Sequence, residues 1–130
     1  MRRIFLVTVP RILLGLIFLA SAVDGFWWLA TGVRLIHPPT SERGEAFELA
    51  LMNAGFFWPL LKVVNVVGAL SLLLNIAPAF GLALIAPVMT VIVAFHFAIN
   101  PPGVPVAIIL TVLGGLLVWA YRERYRALLN

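Results

Sequence analysis

Three ionisable residues of this chain sit in stretches of sequence suited to lipid: Asp24 in "SAVDGFWW", Lys62 in "WPLLKVVNVVG" and His96 in "IVAFHFAINPPG". Asn65 follows Lys62 by three and Asn100 follows His96 by four, spacings that place each pair on one helical face. An ionisable group inside an apolar helix is expensive, so each needs a partner, water or a ligand. Counted at the rise of an α-helix, Asp24 and Lys62 from the aromatic belt and His96 from the end of its span, all three lie roughly 6–9 Å below one membrane surface. Polar groups from three helices at one depth describe one site. The expected arrangement is an Asp24–Lys62 ion pair with Asn65, His96 and Asn100 nearby, lining a small outward-facing cavity that holds a ligand by its oxygen atoms. The other use of the same residues is an architectural pair that fixes helix register. Trp27, Trp28 and Trp58 would flank the pocket entrance at the interface.

Other chemistry finds little support. An acid and a histidine side by side could transfer a proton, but nothing specifies a substrate, so a stand-alone enzyme is the weakest reading and no residue is assigned as catalytic. The chain has no cysteine, and its second histidine, His37, falls in a loop before Pro38 and Pro39. That composition makes a poor metal site. No glycine-rich phosphate loop, Ser-His-Asp order or haem-attachment sequence is present, so no cofactor is assigned from the motifs.

The elements that must position the site are transmembrane helices. Of 130 residues, 63% are hydrophobic and 11% charged, and the mean hydropathy is +1.10. Soluble domains carry about twice that share of charge. A net charge of +4 could suggest nucleic acid. The basic residues gather at the chain ends with no aromatic-interleaved patch, which excludes that partner.

Four segments are long and apolar enough to span: 12–31, 57–74, 79–99 and 104–121. Pro10, Pro59, Pro78 and Pro105 mark their starts, where a missing N–H costs least. Pro87 lies inside the third and predicts a kink that frees the Ala83 carbonyl. Arg2, Arg3 and Arg11 precede the first span and Arg122, Arg124 and Arg126 follow the fourth, which predicts cytoplasmic termini. Residues 1–130 thus form one all-α, multi-pass membrane domain, a four-helix bundle ending in a cytoplasmic tail, 122–130.

The outer loop, 33–56, holds "SERGEAFELALMNAGFF". Ser41 is placed to cap a short amphipathic helix there, with Phe47, Leu51 and Ala54 on one face. That helix either lies on the outer surface or runs on into the second span. Ala20-Ser21-Ala22 could end a signal peptide, but the apolar run continues through Trp28 and Pro10 interrupts its start, so a retained span is expected. Ser21 and Gly25, Gly68, and the stripe Ala86, Thr90, Ala94, Ala98 supply small residues for helix packing. Gly114-Gly115 reads as a further notch.

The stretches "RILLGLIFLASAVDGFWWL", "FWPLLKVVNVVGALSLLLN", "APVMTVIVAFHFAINPPG" and "VWAYRERYRALL" together resemble the DoxX-like family of small four-span bacterial membrane proteins. The most specific part is the "LLLN" turn, then "APV", then "FH" near the end of the third span. In that family an acidic residue stands where this chain has Asn65 and a neutral one near Asp24, so the resemblance implies one shared pocket. It also implies a bacterial inner-membrane accessory subunit whose pocket takes a small or quinone-like ligand in a membrane redox system, since the family is named for a subunit of an archaeal thiosulfate:quinone oxidoreductase. The alternative it allows is a non-enzymatic assembly factor or scaffold that docks partner helices, from a second copy or another membrane protein.

Overall fold

The computed structural model describes residues 1–130, and every element in it is helical. Four long helices are α1 (Val9–Thr31), α3 (Phe57–Leu74), α4 (Pro78–Ala98) and α5 (Val104–Ala120). Each is long and apolar enough to cross a membrane, α1 together with the helical turn Ile4–Thr8 and α5 together with Pro101–Gly103, so the chain is a multi-pass membrane protein. α2 (Glu42–Asn53) lies between the first two, and α6 (Arg122–Arg126) follows the last. With four crossings, both termini lie at one end of the bundle, the terminal end. Residues 33–56 and the Pro101–Gly103 turn lie at the other.

α1 packs along α3, α3 along α4, α4 along α5, and α5 returns to α1. Sequence period decides which faces meet. The buried residues of α1 are Pro10, Leu14, Gly15, Phe18, Ala22 and Gly25, a stripe at steps of three and four. Its other faces carry Leu13, Leu16 and Val23, all exposed, as expected where lipid is the solvent. On α3 the stripe is Trp58, Lys62, Asn65, Gly68, Ala69 and Leu72. Asn75, next in that series, is exposed and takes a left-handed conformation (φ 56°) that ends the helix. Gly68 allows α4 to approach: a Cβ there would overlap Ile85 and stand 3.2 Å from the Gly81 carbonyl oxygen.

The bundle is filled unevenly. Leu14, Phe18, Ala69, Leu72, Leu82, Ile85, Leu110, Leu113 and Leu117 form the core. On α4 the fully buried positions, Ala79, Gly81, Leu82 and Ile85, all lie in the half nearer the terminal end. Past Ile85 the helix continues through Pro87 but buries no residue completely. Gly114 of α5 receives the Met89 thioether, whereas Gly115 faces open space. The expected small-residue stripe on α4 does not pack within the chain: Thr90, Ala94 and Ala98 are exposed and Ala86 only half-buried. α4 meets α3 and α5 through its Gly81, Leu82 and Ile85 faces instead.

Candidate functional site

Where α4 ceases to be buried, a cavity of about 500 Å³ separates it from α1, α3 and α5. Its far wall is apolar, with Phe18, Val88, Ile92 and Leu110 among its residues. Lys62, Asn65, His96 and Asn100 also line it, as does Ser21. Four of the five pocket residues expected from sequence therefore meet there. Asp24 does not.

Asp24 fails to reach Lys62 because the chain after α1 folds back over it. Gly32, with φ 76°, ends the helix, and its N–H donates to the Trp28 carbonyl at 2.8 Å. The next residues bring the N–H groups of Leu35 and Ile36 to Asp24 Oδ1, at 2.8 and 2.9 Å. The carboxylate holds a loop, and the expected ion pair is replaced by local backbone bonds.

Lys62, the chain's only lysine, is 7% exposed. Its Nζ donates to Ser21 Oγ at 3.1 Å and lies 4.5 Å from the centre of the Trp58 ring. No carboxylate is in ion-pair contact with it; the ion pairs of the molecule are Arg34–Glu48, Arg122–Glu123 and Arg126–Glu123. Its stem lies on Gly25, where a Cβ would overlap the lysine methylenes. Ser21 and Gly25 thus seat a side chain rather than a neighbouring helix. The sequence pattern showed small residues there; it did not show what they receive.

Asn65 is 1% exposed, and neither its Nδ2 nor its Oδ1 has a hydrogen-bond partner. Buried amide groups are almost always paired, and in a lipid-embedded bundle an orphan costs several kcal/mol by order of magnitude.

His96 is placed by a relay from the outer segment. Ser41 N donates to Asn100 Oδ1 at 2.8 Å, which turns the Asn100 amide so that its Nδ2 faces His96 Nδ1 at 3.0 Å. Nδ1 must then accept, and the neutral imidazole carries its proton on Nε2. Gly103 makes room for this ring: a Cβ there would overlap Nδ1. The "NPPG" turn gave no hint of that packing.

The tryptophans divide. Trp58 is buried in the cavity wall and donates from Nε1 to the Gly25 carbonyl at 3.0 Å. Trp28 does not line the cavity but packs perpendicular to Trp58, 5.1 Å between ring centres, and carries the Arg34 guanidinium 4.0 Å from its own ring centre. Trp27 is 47% exposed and takes no part, since a step of one along α1 turns it about 100° away.

Over the cavity lies α2, separated from α3 by Gly55 (φ 81°), so the outer helix is a separate element. Ser41 caps it, accepting from Gly44 N at 3.0 Å. Phe47, Glu48 and Leu51 line the cavity from above. Phe47 packs on Phe95 at 5.4 Å, and Glu48 is ion-paired with Arg34. Glu48 and Arg34 were not singled out from sequence. They sit in a polar loop where exposed charges are ordinary, and only the folding of α2 over the bundle gives them a role. No three histidine or acidic side chains converge where a metal could bind. Compared with known proteins, the chain matches no family model, no curated protein and no solved structure.

Proposed function

We propose that this chain is a small DoxX-like accessory subunit of the bacterial inner membrane, with both termini cytoplasmic. In this reading its outward-facing cavity binds a small amphipathic ligand of a membrane redox system, such as a quinone, through the ligand's oxygen atoms. The observation that carries the reading is Asn65, an amide without a partner in the wall of a cavity beside the only lysine. A volume of about 500 Å³ is ordinary for a small-molecule site. The donors among the polar groups around it are the free Lys62 N–H groups, the Asn65 Nδ2 hydrogens and His96 Nε2–H, while the Glu48 carboxylate in the lining is paired with Arg34. Oxygen acceptors on a lipophilic body complement that set. The orientation rests on Arg2, Arg3, Arg11, Arg122, Arg124 and Arg126 at the terminal end, against Arg34 and Arg43 at the other.

The test is a native mass spectrum of the intact 14.2 kDa protein released from mild detergent. A copurifying small-molecule adduct is expected, weakened in His96→Ala and lost in Asn65→Leu. A bare chain in every preparation, with no thermal shift on adding a short-chain quinone or other oxygen-bearing amphiphile, rejects the reading.

The second reading is an assembly or scaffold subunit. What favours it is the exposed Thr90, Ala94 and Ala98 face of α4, small enough to admit a partner helix closely. Ala94→Leu would then abolish copurification of a partner while leaving the cavity's adduct in place.

A further inference from the structure

We infer that the ligand of this cavity is headed by an anionic oxygen acid, a carboxylate on a single hydrocarbon chain, bound by the Lys62 ammonium. The inference rests on the ligand-binding reading and narrows its chemistry. Lys62 is held away from water yet touches only a neutral hydroxyl and an indole face. A buried cation is retained at reasonable cost when a counter-ion meets it directly. Both acids of this end that could serve are committed elsewhere. Asp24 takes two backbone N–H groups, and Glu48 takes the Arg34 guanidinium. They moderate the local field without supplying the missing contact.

The lysine is also held for a ligand rather than released toward water. Gly25 removes the Cβ that would displace its stem, and Ser21 and Trp58 fix its end. An ammonium has three N–H donors, and Ser21 accepts one. Two remain, beside an unpartnered amide three residues further along the same helix. A carboxylate is complementary: two oxygens with about four acceptor sites between them. A neutral carbonyl would satisfy a donor but leave the charge uncompensated. Behind this polar end the wall is Ile17, Phe18, Val88, Ile92 and Leu110, which suits a hydrocarbon chain and offers it no hydrogen bond.

The experiment compares dodecanoate, dodecanol and a neutral short-chain quinone on the full chain in nanodiscs of zwitterionic lipid, at neutral pH and fixed salt. Dodecanoate is expected to bind at least about tenfold more tightly than dodecanol, with that ratio falling to near one in Lys62→Gln. Because Lys62→Gln could impair folding, Gly25→Ala serves as a second variant, displacing the lysine end without removing its charge; it should reduce the same ratio. If the alcohol or the quinone binds as tightly as the acid, the anionic head is wrong while the cavity remains a binding site. If the acid's preference is unchanged in both variants, Lys62 is not its anchor and the inference falls. If no probe binds, the ligand-binding reading falls with it.

Discussion

An unbonded amide beside an ammonium, deep in a helical bundle, pulls fold and ligand in opposite directions, and substitution can separate them. Leucine at position 65 replaces two unpaired polar atoms with a group the surrounding core accepts. In the ligand-free protein Asn65→Leu should therefore raise stability by at least about 1–3 kcal/mol, the usual penalty of one unsatisfied buried group being removed. Chemical unfolding in mixed micelles measures this, and a loss of stability would show that the amide is not orphaned. Asp24 behaves differently, because its oxygen serves the Leu35 and Ile36 N–H groups. Asp24→Asn keeps an acceptor and should leave ligand binding within about twofold, whereas Asp24→Ala should cost about 1–3 kcal/mol and speed amide exchange at residues 33–36. Exchange rates followed by mass spectrometry decide between them. Helical period made Lys62 and Asn65 legible as one buried face. It could not reveal that backbone from a neighbouring loop would claim Asp24 first, since loop closure has no period.

The outer helix is the element on which access to the cavity depends. α2 is tied down by few bonds: Ser41 N to Asn100 Oδ1, Ser41 Oγ to the Ile99 carbonyl, the Arg34–Glu48 pair and the Phe47–Phe95 contact. Ser41 thus serves as N-cap, as latch to the α4–α5 turn and, through Asn100, as the remote support of His96. Ser41→Ala should lower the local stability of residues 42–53 by about 1 kcal/mol, the cost of losing an N-cap. Their amides should then exchange several-fold faster while those of α1 and α3 stay unchanged. Equal acceleration in all helices would mean that α2 opens only with the whole bundle. Ser41 was legible as a cap from its position before an acidic, amphipathic run. Whether the run continued into α3 was not, because that depends on Gly55 adopting a left-handed conformation, and "NAGFF" allows a helix or a break. The α4 stripe was legible as a run of small residues but not for what meets it: small residues mark where a helix can come close, and only three-dimensional packing says that none within this chain does.

Across the whole molecule, the terminal end is clamped and the opposite end is hollow. Arg11 donates to the Leu72 carbonyl, and more weakly to that of Leu73 at 3.5 Å, satisfying the open end of α3. Tyr125, carried by α6, donates from its hydroxyl to the Ala79 carbonyl at 2.6 Å and ties the tail to the first turn of α4. The nine-residue core fills the bundle on this side. Four spans were readable from hydropathy because a helix closes its backbone bonds within itself and so crosses lipid on about 20 apolar residues in a row. The clamp was not, because an arginine and a tyrosine at a membrane interface suit snorkelling and an aromatic belt equally well. The tyrosine clasp carries a pH dependence of definite sign. Burial first, then the neighbouring Tyr121, pushes the Tyr125 phenol up to about 12, with Arg124 pulling the other way. An unfolded tyrosine titrates near pH 10, so the fold favours the neutral phenol. Its contribution is full below about pH 10 and is lost as pH rises through about 12. An alkaline titration followed by phenolate absorbance and far-ultraviolet circular dichroism should show stability falling across that window. Tyr125→Phe should be less stable at neutral pH by about 1 kcal/mol, the net value of one hydrogen bond. It should also lose much of the alkaline decline, with Tyr121, likewise raised by burial, supplying what remains. If the variant declines as steeply as the parent over the same range, the tail is not held to α4 by this hydroxyl, and the closure of the terminal end rests on Arg11 and the apolar core alone.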